Sequence, residues 1–117
     1  MTFVLALAST SFCMAGDTAV KTMASIMMQF SHYPSDTQKS SLQKLIHDSA
    51  VSENEKTIAA AILNIEHQVS AADKVKLSKI YSDDSESNTL RDLAGIVLEV
   101  NHTVSAADKE KLAALTN

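Results

Sequence analysis

The chain is poor in the residues that punctuate or cross-link a backbone: one cysteine, one proline and two glycines in 117 residues, with no tryptophan. A single cysteine excludes a disulfide within the chain and any zinc site built from several thiolates. So little glycine and proline argues against a turn-rich all-β fold. Positive charge is also scarce. Ten Lys/Arg stand against fourteen Asp/Glu, a formal net charge of −4, so there is no global basic field for a phosphate backbone, although a local patch stays open. What remains is 45% hydrophobic and 21% charged, a globular composition of a length that suits one small domain.

Residues 1–16 carry no charge, and Cys13-Met14-Ala15 places small residues at −3 and −1 of a cut after Ala15. This reads as the apolar core and cleavage site of a secretory signal peptide, although the positively charged n-region is missing. The alternative is a buried N-terminal helix. The export reading makes residues 1–15 a removed leader and residues 16–117 the mature domain. Its expected localisation is secreted or periplasmic, with no stable membrane span after cleavage.

The most informative feature is internal repetition, with an offset of 35. His67-Gln68-Val69-Ser70-Ala71-Ala72-Asp73-Lys74 reappears as His102-Thr103-Val104-Ser105-Ala106-Ala107-Asp108-Lys109. Residues 52–82 share 12 identities in 31 columns with residues 87–117, and residues 17–47 share 8 in 31 with residues 52–82. The three units run over about 17–51, 52–86 and 87–117.

Each unit reads as two helices. Ser52 with Glu55 forms the pattern of a capping box, and Asp17 and Ser87 occupy the same column. Apolar residues follow at i, i+3, i+4, i+7: Ile58, Ala61, Ile62 and Ile65, matched by Met23, Ile26, Met27 and Phe30 and by Leu93, Ile96, Val97 and Val100. A second stripe (Ala24 and Met28, Ala59 and Leu63, Ala94 and Leu98) widens the apolar arc, as expected of a helix covered on several sides. Ser35, Ser70 and Ser105 cap the second helix, and Asp73 and Asp108 follow three residues on, at the positive end of the helix dipole. The apolar set of that helix is narrow: Leu42, Leu45 and Ile46; Leu77, Ile80 and Tyr81; Leu112 and Leu115.

The expectation is an all-α fold. Three tandem antiparallel helical hairpins of about 35 residues, six helices in all, stack as a short right-handed α-solenoid or bundle. The turn inside each hairpin is expected to take two or three residues, making its two helices close neighbours. The small column Ser25, Ala60 and Gly95 is expected to let successive first helices approach each other. The period is near that of tetratricopeptide units, but their motif is missing.

Only His32, His67 and His102 combine a strongly functional side chain with recurrence in every unit. Imidazoles bind zinc, copper and nickel. In an open stack, however, neighbouring helices lie 8–10 Å apart. The outer two histidines would then be about twice that distance apart, too far to share an ion at about 2 Å per bond. The first expectation is therefore structural, with each His in the last turn of its helix bonding terminal carbonyls; metal or small-ligand binding by the row is the alternative. His47 falls outside the pattern.

Ser and Lys four apart (Ser35 and Lys39, Ser70 and Lys74, Ser105 and Lys109) would need burial and a cleft to act as nucleophile and base, and capping accounts for the serines. Asp83-Asp84-Ser85-Glu86 lacks the glycine and spacing of an EF-hand loop. Met23, Met27 and Met28 read as core, or as an adaptable contact surface. Asn101-His102-Thr103 has the pattern of a glycosylation sequon. The functional expectation is a small exported helical-repeat protein that acts as a protein-interaction or structural module. It would have no catalysis and no cofactor, would not bind nucleic acid, and would have a protein partner or a second copy of itself.

Overall fold

The computed structural model describes residues 18–116. The expected leader and Asp17 lie outside the described residues. Six helices follow one another: α1 over 18–28, then α2 Asp36–Ile46, α3 Glu53–Leu63, α4 Ala71–Tyr81, α5 Asn88–Leu98 and α6 Ala106–Thr116. The fold is all-α, and among the described residues no helix is long and apolar enough to cross a membrane.

Helix starts follow local chemistry. Ser35 and Ser52 close full capping boxes with Gln38 and Glu55. The Ser87 hydroxyl accepts from the Leu90 N–H, and that of Ser105 from the Asp108 N–H, each at 3.2 Å. Ser70 does more. Its hydroxyl accepts from the Asp73 N–H at 3.2 Å and donates to the Asp73 carboxylate at 3.0 Å, and that carboxylate is buried. Loss of an N-cap costs about 1 kcal/mol, and a buried acceptor that loses a donor adds to it. Ser70→Ala should therefore cost about 2 kcal/mol in urea unfolding, against about 1 kcal/mol for Ser87→Ala.

The core is arranged in matching layers. Met23, Ile58 and Leu93 are fully buried, as are Met27, Ile62 and Val97, and Ala24, Ala59 and Ala94. All belong to one apolar cluster, so α1, α3 and α5 form the inside of the molecule. Leu42, Leu77 and Leu112 sink in from α2, α4 and α6 with no exposed surface.

Two local expectations need correction. The connection inside a hairpin spans seven residues (29–35, 64–70 and 99–105), not two or three. The helix tightens first, with Phe30, Ile65 and Val100 each donating to the carbonyl three residues back. Phe30 and Pro34 are then buried on either side of an exposed tip, and Ile65 and Val69, and Val100 and Val104, repeat the arrangement. α4 packs more extensively on α5, of the next hairpin, than on α3 of its own, and α2 likewise packs on α3. In the small column, Gly95 serves that same packing. A Cβ on Gly95 would lie 2.8 Å from Cε1 of Tyr81, so the glycine seats a tyrosine of α4 rather than a neighbouring first helix. Ser25 is exposed.

The choice between open solenoid and bundle falls to the bundle, because the three hairpins close on one another at the tips of these connections.

Candidate metal centre

His32, His67 and His102 stand at the three tips. They lie four residues beyond the ends of α1, α3 and α5, not in the last helical turn. Each has a positive φ, of 64°, 70° and 68° respectively. A side chain at such φ crowds the backbone, and the left-handed region is uncommon for residues other than glycine, with His among the more tolerant. The Tyr33 N–H donates to the Ser31 carbonyl at 2.6 Å and the Thr103 N–H to the Asn101 carbonyl at 2.8 Å. Two of the tips therefore carry a γ-turn centred on the histidine, a conformation that stores strain when φ is positive.

The histidine N–H groups do not return to their own helices. The His32 N–H donates to the His102 carbonyl (2.5 Å), the His102 N–H to the His67 carbonyl (2.8 Å), and the His67 N–H to the His32 carbonyl (2.6 Å). These three bonds form a closed ring that joins the first hairpin to the third. The expected row of widely spaced histidines is thus a triangle, because the ring of bonds brings the first and third turns together.

The imidazoles follow the backbone inward. Ring centroids lie 5.3 Å (His32–His67), 5.4 Å (His32–His102) and 4.8 Å (His67–His102) apart. One nitrogen from each ring can be chosen so that all three lie within 4.8 Å of one another. Tetrahedral zinc with 2.0–2.1 Å bonds needs ligand nitrogens about 3.4 Å apart, so the rings must each close in by roughly 1 Å. All three side chains are exposed, and rotation about χ1 and χ2 supplies that movement. The triad offers three imidazole donors on the solvent-exposed surface. Of the nine tip residues (31–33, 66–68 and 101–103), only Glu66 is charged. A cleft lined by Tyr33, Lys39, Glu66 and His67 opens beside it.

One ring is held. The Asn101 Oδ1 lies 2.9 Å from Nδ1 of His102 and accepts from Nε2 of Gln68 at 3.3 Å. Sequence reasoning found neither partner; the adjacency of Asn101 to His102 was the only available hint.

The other sequence-derived candidates take structural places. Ser35, Ser70 and Ser105 are caps. His47 is the exposed C-cap of α2. Met23 and Met27 are fully buried in the core, with Met28 packed against it. In the acidic loop, the Ser85 hydroxyl and N–H both donate to Asp83 and hold its carboxyl below the usual carboxylate range. Asp84 pairs with Arg91 at 3.6 Å, and Glu86 accepts from Asn54. Comparison with models of protein families, with curated proteins and with solved structures finds no match.

Proposed function

We propose that this chain binds one divalent transition-metal ion through His32, His67 and His102. The observation that carries the reading is the convergence of three exposed imidazoles, with candidate ligand atoms within 4.8 Å of one another, on a ring of backbone bonds that joins all three turns. Three imidazoles without thiolate or carboxylate suit copper, nickel and zinc better than magnesium or calcium. Copper(II) should bind most tightly, in keeping with the general order for divalent metals. In this reading the 35-residue unit is a repeat, and its threefold recurrence builds a three-ligand site from one histidine per unit. Export of the chain belongs to the same proposal, and the mass of the N-terminal peptide from cells checks it.

The test is calorimetry on chelator-stripped chain with Cu2+, Ni2+ and Zn2+. One ion per chain is expected. Affinity should fall steadily on acidification, because protons compete for the same imidazole nitrogens. His67→Gln should weaken binding by more than the roughly 10- to 100-fold that loss of an outer-sphere partner costs. Absence of binding, or binding that His67→Gln leaves unchanged, overturns the proposal.

A further inference from the structure

We infer that Asn101 is a positioning residue for this centre: it fixes His102 as the pre-oriented ligand, with Nδ1 carrying the proton and Nε2 presented to the ion. The inference rests on the metal-binding reading. It starts from the two contacts of one oxygen. An amide oxygen only accepts, so the ring atom 2.9 Å from the Asn101 Oδ1 must donate, and that atom is Nδ1 of His102. A neutral imidazole has one N–H, so the lone pair is left on Nε2. The second contact, from Nε2 of Gln68 at 3.3 Å, uses the other acceptor direction of the same oxygen. It ties Asn101 to the turn that carries His67.

The three tips are not equivalent in this respect. The residue before the histidine is Ser31 in the first turn and Glu66 in the second, and neither has a hydrogen bond to the ring that follows it. His32 and His67 pack against the other rings but have no such acceptor to select a tautomer, while His102 is already set. A ligand that is ordered before binding loses less freedom when the ion arrives. Outer-sphere acceptors on a histidine also raise the basicity of the ligating nitrogen. His102 is then the first ligand to hold the ion, and the other two rings swing in to complete the triad.

The test has two arms on the full chain. The first needs no metal: long-range 1H–15N correlation spectra of the apo chain report the tautomer of each histidine. His102 should be predominantly the Nδ1–H form in the wild type and lose that bias in Asn101→Ala. A predominantly Nε2–H form in the wild type overturns the inference. The second arm is affinity for Cu2+ and Zn2+. Asn101→Ala should bind about 10- to 100-fold more weakly, and Asn101→Asp should restore or exceed wild-type affinity because a carboxylate accepts the same N–H more strongly. Asn101 is exposed, so both variants should fold, and circular dichroism checks this. Unchanged affinity in Asn101→Ala, or failure of Asn101→Asp to rescue, overturns the positioning role. If the wild type binds no metal, the functional reading falls by itself, while the tautomer spectra still decide whether Asn101 orients His102.

Discussion

Replacing His32, His67 and His102 together by glycine should abolish metal binding and raise the melting temperature of the apo chain. The three positions share φ values of 64°, 70° and 68°. A non-glycine residue there costs about 1–2 kcal/mol against the right-handed form, and His lies toward the lower end as one of the more tolerant types. Glycine removes that crowding but gives the unfolded chain more freedom, worth about 0.5–1 kcal/mol per site in the opposite direction. The net expectation is a gain of a few tenths to about 1 kcal/mol per site, and about 1–3 kcal/mol for the three. For a domain of this size that is a rise of several degrees. The ring of backbone bonds survives, because it uses only N–H and C=O groups. Metal should reverse the ranking: at 1,000 times Kd it stabilises a binding protein by about 4.1 kcal/mol, more than the whole expected gain, and the glycine variant receives none of this. Melting curves with and without Cu2+ therefore have to cross. If the histidines serve structure alone, through ring stacking at the axis, the glycine variant will melt lower in both conditions, and the strain would have no functional meaning.

The helices and the core were legible in the sequence because both are set by near neighbours. Apolar spacing at i, i+3, i+4 and i+7 placed Met27, Ile62 and Val97 in the core, and all three are fully buried. The serine columns placed the caps to the residue, since a hydroxyl reaches only the N–H groups two or three positions on. Closure was not legible. Apolar spacing defines each helix, but the rotation between hairpins is set by side-chain packing across them, such as Tyr81 against Gly95, which no periodicity encodes. That one unknown changed a row of histidines into a triangle. A signal for the turn was nonetheless present. Each histidine sits between two apolar residues four apart that are now seen buried (Phe30 and Pro34, Ile65 and Val69, Val100 and Val104). Neither of the two glycines stands at the three positions where the described backbone turns left-handed. A demanding residue kept where glycine would fit more easily is the pattern expected of a functional position under strain.

The site depends on the core beneath it, and Ile62→Ala should expose that dependence. Ile62 is fully buried on α3, just over one turn before the tip that carries His67. Met27 of α1 and Val97 of α5 hold the matching positions and are equally buried in the same core cluster. Truncation removes about three methylene equivalents and leaves a cavity in the core, so the expected loss is about 2–5 kcal/mol. Against a total of about 5–15 kcal/mol for a domain, this is a large fraction, and the urea midpoint should fall with the slope unchanged. The layer is not uniform. Met27 is unbranched and fills gaps adaptably, so a Met27→Leu change should cost less than about 1.5 kcal/mol. Val75→Ala on α4, at a side chain 58% exposed, should stay within about 0.5 kcal/mol. Because the three hairpins meet at both the core layer and the histidine ring, loosening the first should loosen the second. Metal affinity of Ile62→Ala should therefore fall under conditions where the variant is still folded, while Val75→Ala binds as the wild type does. Equal affinity in a folded Ile62→Ala would mean that the backbone ring alone holds the triad, independent of the packing below.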